Sequence, residues 1–218
     1  MLPADPSADM ITLAEAWRSG DPAAAPARSA SVILLRNGEA GLETYLLHRH
    51  GQMPFAASMV VFPGGRVDST DEGAAADPIR ACALRETAEE TGVRLDEDDL
   101  IPWAHWITPE LEPRRYDTYF FLAGMPPDQE AQDVSGETDH AAWDSPAAAL
   151  ASAERSEIGL MPPTRSILLE LVDAHSVGEL LDVAKDRVIE CVLPKMIKTS
   201  SGWLLRYPSR HGRRATGR

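Results

Sequence analysis

The stretch DPIRACALRETAEETGV, from Asp77 to Val93, leaves its backbone little choice. Asp77 is a good helix N-cap, and Pro78 suits the first helical turn, where its missing N–H costs nothing. Gly92 stands where a left-handed C-cap is wanted, so a helix is predicted from Pro78 to about Thr91. That helix carries Glu86, Glu89 and Glu90 directly behind Arg85. Like charges at this spacing repel by roughly 0.2–0.5 kcal/mol per i,i+4 pair, so something must offset the crowding. At about 100° per residue Glu86 and Glu90 are nearly in line and Glu89 lies about 80° to one side, so all three share one sector. Cys82 and Ala83, both small, are their neighbours there, while Leu84, Ala88 and Thr91 make the opposite face, expected to pack on a sheet. Arg85 can reach Glu89 at i+4 and hold one carboxylate while others bind a cation.

Upstream, SMVVF (58–62) reads as an apolar strand that ends abruptly in PGG. The consecutive Gly64 and Gly65 let the backbone approach a metal or phosphate closely and adopt angles that other residues avoid. Acidic runs of this kind are commonly just solvated surface. The strand and glycines ahead of this one favour a metal–diphosphate site instead. The ions expected are Mg²⁺ or Mn²⁺, hard cations that take oxygen ligands and keep an open coordination sphere.

Around this segment, SVILLR (31–36) and LETYLLHR (42–49) read as a hairpin about the turn NGEAG, and LIPWAHWI (100–107) and RYDTYFFLA (115–123) as further strands. Three helices are expected beyond Ser145, in SPAAALASAE, PTRSILLELVDA and SVGELLDVAKDR, followed by short strands around IECVLP and GWLLRYP. Residues 1–30 read as an N-terminal extension with one short helix through Ile11, Leu13, Ala14 and Trp17, and residues 208–218 as a mobile basic tail. Strands and helices mix without strict βαβ alternation, so the class is α/β or α+β with a mixed sheet.

A net charge of −13 over 218 residues excludes a broad electrostatic grip on nucleic acid or an anionic membrane. A phosphate-rich substrate would have to be met by metal ions or local arginines. Cys82 and Cys191 are far apart and make no CxxC, which argues against a disulfide framework or a zinc site and fits a reducing cytoplasm. Neither a secretory signal nor a run of 18 apolar residues is apparent, so a cytoplasmic protein is expected.

The segment from Gly65 to Val93 resembles the signature of the Nudix hydrolase superfamily, G-x5-E-x7-R-E-U-x-E-E-x-G-U, where U is a bulky aliphatic residue. Gly65, Arg85, Glu86, Glu89, Glu90, Gly92 and Val93 stand at matching positions. Three departures are visible. The interval between Gly65 and the position eight before Arg85 is six residues longer than usual, that position holds Asp77 where the family has glutamate, and the first U is Thr87. Asp77 is read as a helix cap, not a ligand. The flanking segments MPFAASMVVFPGGRVD and WITPELEPRRYDTYFF, with MPPT opening a helix, are similar to the peroxisomal coenzyme A diphosphatases and their bacterial relatives, over roughly residues 30–207.

The resemblance implies a Nudix-type α/β/α sandwich over residues 31–207, with a central mixed sheet and a catalytic loop-helix. It also implies Mg²⁺- or Mn²⁺-dependent hydrolysis of a diphosphate in a small nucleotide-derived substrate. Glu86, Glu89 and Glu90 would bind metal, with the Gly65 carbonyl as a further ligand, and Arg85 would position them. The general base would be one of the helix glutamates or Glu137, in the later loop SGETDHAAW. Arg49, Arg114 and Arg115 are candidates for gripping phosphates, while His48 and His50 beside Arg49 are commonly just a solvated edge. Trp103, Trp106, Tyr119 and Phe120 could stack a base, although aromatic strand residues are more often core. Coenzyme A or acyl-coenzyme A is the favoured substrate, with ADP-ribose, NADH or a nucleoside triphosphate as the alternative. A ligand-sensing module without catalysis is the reading of a different class, and the intact carboxylates weigh against it. A homodimer would be in keeping with the superfamily.

Overall fold

The computed structural model of the chain describes residues 6–18, 21–49, 58–74, 76–134, 136 and 138–208. In chain order its first elements are α1 (Ala8–Ala16), β1 (Ala27–Gly38), β2 (Gly41–Arg49), β3 (Met59–Val61), β4 (Gly64–Arg66), α2 (Ser69–Ala74) and α3 (Pro78–Thr91). After a 3-10 turn at Glu97–Asp99 come β5 (Ile101–Ile107), β6 (Tyr116–Gly124), β7 (Thr138–Asp144), α4 (Pro146–Glu154), β8 (Gly159–Leu160), α5 (Pro162–Leu171) and α6 (Val177–Lys185). The last are β9 (Cys191–Val192), β10 (Lys195–Thr199) and β11 (Gly202–Arg206). Two compact units are formed, a larger one of Arg28–Ala104 with Thr118–Ile189 and a smaller one of the remaining segments.

In the larger unit the strand order is β8-β3-β2-β1-β6-β5, with β4 on β1 and β7 on β2. The sheet is mixed, since β1, β2 and β7 pair antiparallel and β3 pairs β8 in parallel. β1 and β2 pair only next to their turn, from Leu35↔Thr44 to Gly38↔Gly41. Farther along they part, and β3 takes β2 through Leu47↔Val61 while β4 takes β1 through Ala30↔Gly65. The Pro63–Gly64 turn therefore sits in the fork between two central strands. β4 has no strand-like sequence of its own and exists because small residues at Ser29, Ala30 and Ser31 let glycines pair against them.

α3 lies on one face of this sheet. Its Cys82 and Ala83 join Val32, Leu34, Leu47 and Phe121 in a buried cluster. The opposite side of β1 buries Ile33 and Leu35, as the period of two requires. α4 lies against β2 and α5 against α4, and Ile167, Leu168 and Leu171 of α5 are wholly buried. Each such side chain contributes about 1.5–3 kcal/mol relative to exposure. Trp103 and Phe120 are core residues of this unit.

The packing face of α3 differs from the expectation. Its buried residues are Cys82, Ala83, Thr87, Glu90 and Thr91, whereas Leu84 and Ala88 are only partly covered. Small side chains let the helix approach the sheet closely, and that matters more here than the bulk of Leu84. The two buried threonines are satisfied internally: Thr87 donates to the Ala83 carbonyl at 2.7 Å and Thr91 to the Thr87 carbonyl at 2.6 Å. Among the described residues no helix is long and apolar enough to cross a membrane.

In the smaller unit α1 is capped by the Ser7 hydroxyl, which accepts from the Met10 N–H. β10 and β11 form a hairpin, and β9 pairs in parallel with His105 and Trp106. Trp106 is buried there.

Candidate active site

Both ends of α3 form as their residues dictate. The Asp77 carboxylate accepts from the Ile79 N–H at 3.0 Å, and Gly92 closes the helix at φ 73°. Between them the helix presents its charged residues to the glycine turn. Glu90 is buried, and its Oε2 accepts the Gly64 N–H at 2.8 Å. A side chain at Gly64 would run into the Ala30 carbonyl and the Ser31 backbone, and one at Gly65 would run into the Glu86 carboxylate. Close approach to the β1 backbone thus requires glycine at 64, whereas a side chain at 65 would displace the Glu86 carboxylate. The Cys82 thiol donates to the Gly65 carbonyl at 3.5 Å. Burial, helped by the charges of Glu86 and Asp71, pushes that thiol up to about 12.

Arg85 organises the carboxylates. Its Nη1 donates to Glu86 at 2.9 Å and to Glu89 at 3.0 Å, and its Nη2 donates to the Arg66 carbonyl at 3.0 Å. Nε and Nη2 make a two-pronged pair with Asp71 at 2.9 and 2.8 Å. Asp71 is buried, and burial works against its charge. Arg85 and the Asp68 N–H outweigh that and hold its carboxyl below the ordinary carboxylate range. The same bond to Asp71 strengthens the hold of Arg85 on its proton. Glu86 goes the other way: burial raises it, Arg85 opposes, and the charges of Glu89 and Asp71 add to the rise. Glu89, at 59% side-chain exposure, faces solvent.

Asp71 is the residue that sequence reasoning missed. Counting eight back from Arg85 reaches Asp77, but counting six forward from Gly65, as G-x5-E prescribes, reaches Asp71. The extra residues therefore follow the acidic position. α2 makes this possible: Asp68 caps its first turn, accepting from the Thr70 and Asp71 N–H groups, and so aims Asp71 at Arg85. Forward spacing was the available signal.

The other expected residues are not brought to this cluster. Arg49 ends β2 opposite Thr138, past an irregularity in the β2–β7 pairing. Arg115 is engaged in the smaller unit, donating to the Thr108 carbonyl at 3.1 Å and the Ala24 carbonyl at 2.7 Å. These two bonds use Nε and Nη1 of the guanidinium. Arg114 is its neighbour in the same loop. His48 packs against His140 with ring centroids 5.3 Å apart, and burial lowers its pKa. His50 and Glu137 lie outside the described residues.

The donor set suits a hard divalent cation: three carboxylates and a backbone carbonyl, with the nearby sulfur kept protonated. Oxygens of Glu86 and Glu89 already converge on one cationic nitrogen of Arg85. Among the described residues, however, no three His, Cys, Asp or Glu side chains are gathered closely enough as they lie to enclose an ion.

The Nudix domain profile matches residues 25–162. A Caenorhabditis elegans protein provisionally named nudix hydrolase 7 is 28% identical over 172 residues, covering 62% of this chain and 57% of that one. The acyl-coenzyme A diphosphatase of Gallus gallus is 30% identical over 118 residues, covering 49% of this chain and 30% of that one. The chain thus matches about half, or less, of the length of these relatives. The crystal structure of a Nudix hydrolase from Alicyclobacillus acidocaldarius superposes with a TM-score of 0.64 at 23% identity, covering 72% of this chain and 96% of that one.

Proposed function

Because the chain belongs to the Nudix hydrolase superfamily, whose enzymes cleave diphosphates, we propose that it hydrolyses, with Mg²⁺ or Mn²⁺, a diphosphate joining a nucleoside to another moiety, with coenzyme A or acyl-coenzyme A as the favoured substrate. The observation that carries the chemistry is the Asp71–Arg85–Glu86/Glu89 network set against a glycine turn that Glu90 also grips. The substrate choice is supported by the partial likeness to the Gallus gallus enzyme and by the flanking segments. The two unpaired cysteines suit a reducing compartment such as the cytoplasm.

Glu86, Glu89 and Glu90, with the Gly65 carbonyl, would hold the divalent ion. Bound there, it would withdraw charge from the diphosphate and acidify a water for attack on phosphorus. The residues of the chain have separate tasks. Asp71 fixes the Arg85 guanidinium, and Arg85 fixes Glu86 and Glu89. Glu90 keeps the end of α3 in register with Gly64, so that the glycine backbone and the carboxylates form one rigid wall. The proton of the attacking water passes to a helix glutamate or to Glu137, and the P–O bond to the bridging oxygen breaks, with the second phosphate as leaving group. With coenzyme A the products are adenosine 3′,5′-bisphosphate and phosphopantetheine.

A metal-dependent panel of coenzyme A, ADP-ribose, NADH and nucleoside triphosphates tests this. Coenzyme A should give both products with Mg²⁺ or Mn²⁺ and neither in EDTA. Turnover of ADP-ribose, NADH or a triphosphate without any of coenzyme A would overturn the substrate choice and leave the reaction class standing.

A further inference from the structure

The mouth of the β1–β2 hairpin holds a cavity of about 450 Å³, within the size range of small-molecule sites. Along β1 it lies away from the glycine turn: six residue steps of extended chain lead from Ala30, the partner of Gly65, to Arg36, a span of about 20 Å. Met125, Pro126, Ala131 and Val177 give it an apolar wall.

Its polar groups are sorted by what they already hold. Gln129 is committed at both ends, accepting from the Arg94 N–H and donating to the Arg94 carbonyl. The Met125 N–H goes to the Leu35 carbonyl, and Pro126 and Pro127 have none to offer. Asn37 uses only its oxygen, which accepts from the Val177 N–H at 2.9 Å. Arg36 uses only Nε, which donates to Glu43 at 2.7 Å. Among the described residues neither terminal amino group of Arg36 nor the Asn37 amide nitrogen donates a hydrogen bond. Apart from the exposed Glu130 carboxylate, the side-chain groups left over in the cavity are donors.

Arg36 is also held in orientation. Its guanidinium lies 4.4 Å from the centre of the Trp143 ring, which is braced from elsewhere by the edge of Tyr45 at 5.2 Å. The Trp143 ring and the Glu43 bond hold the half-exposed guanidinium from two sides and leave its two terminal amino groups as a fork for an oxyanion. The segment that walls the cavity runs on to α3, where Gln132 and Val134 donate to the Thr91 and Glu90 carbonyls.

We propose that this cavity is a second ligand site, for an organic phosphate monoester or carboxylate on a flat or apolar body, with Arg36 taking the anion and Met125, Pro126 and Val177 taking the body. Such an anion could be the far end of a long diphosphate substrate or a separate small molecule. The site is independent of the hydrolytic reading, because binding can be measured without metal or turnover.

The test is calorimetric titration of the full chain in EDTA with adenosine 3′,5′-bisphosphate, with inorganic phosphate as the control for charge alone. Saturable 1:1 binding is expected for the bisphosphate, much weaker for phosphate, and Arg36→Gln should lower the affinity roughly tenfold or more. Arg36→Lys, which keeps the charge and loses the fork, should fall between. Circular dichroism melts should show both variants folded. No saturation at millimolar bisphosphate, or equal affinity in wild type and Arg36→Gln, would overturn the proposal. Given binding, a raised KM at unchanged kcat for a diphosphate substrate in Arg36→Gln would identify the anion as the substrate's far end. An unchanged KM would identify a separate ligand.

Discussion

Asp71 and Arg85, fourteen positions apart, make the contact on which the carboxylate geometry depends. Asp71 is buried behind Arg85 and bonded to it at both oxygens, so its effect runs through that guanidinium. Asp71→Asn should lower kcat/KM by roughly 10- to 100-fold, the usual cost of losing an orienting partner behind a metal ligand, and raise the metal concentration needed for half-activity. Steady-state kinetics over a Mn²⁺ series would check both. Glu89→Gln and Glu90→Gln should abolish turnover with the fold intact, since glutamine at position 90 still offers a carbonyl to the Gly64 N–H. Burial leaves Glu86 holding its proton to higher pH than an ordinary glutamate. Protons and metal compete for that carboxylate, so the metal requirement should climb as pH falls through this raised value. Buried Cys82 should resist thiol reagents that label the exposed Cys191, giving one modified thiol per native chain and two in denaturant, as mass spectrometry would read.

At the scale of elements, the carboxylate helix was legible because its signals are local. A cap, a proline, a C-terminal glycine and a charge pattern need no partner to be read, and α3 runs over the residues they mark. Asp77→Ala removes the cap and a half-exposed ion pair with Arg80 at 3.7 Å, and should cost about 1 kcal/mol, seen as a fall of a few degrees in the melting midpoint with the metal requirement unchanged. β4, β7 and α2 were not legible for the converse reason. β4 is two glycines and an arginine paired to β1, and β7 opens on polar Thr138, Asp139 and His140 that gain strand character from β2. The packing face of α3 was misjudged because closeness, not bulk, decides how a helix sits over a glycine turn. Asp71 escaped because its partner is placed by tertiary structure, although the forward count from Gly65 points to it.

For the molecule as a whole, the net charge is −13, and the candidate site adds its own carboxylates to that excess. Divalent ions should therefore act on stability as well as on turnover. At a hundredfold excess over Kd a ligand of the folded state adds about 2.7 kcal/mol, so Mn²⁺ should raise the melting midpoint of the wild type and not of Glu90→Gln. Calorimetry in EDTA and in Mn²⁺ would show it, and equal shifts in both proteins would mean that the ion binds elsewhere.

The stretch between Asp71 and Asp77 is anchored at both ends, by Arg85 on one side and by the cap of α3 on the other. Gly73 meets no neighbouring atom where a side chain would begin. Chain length inside that bracket is consequently decoupled from the Asp71–Arg85 contact and from the start of α3. For an experimenter the same bracket is a labelling point. A small environment-sensitive dye attached at position 73 should ride beside the candidate metal site and report its filling.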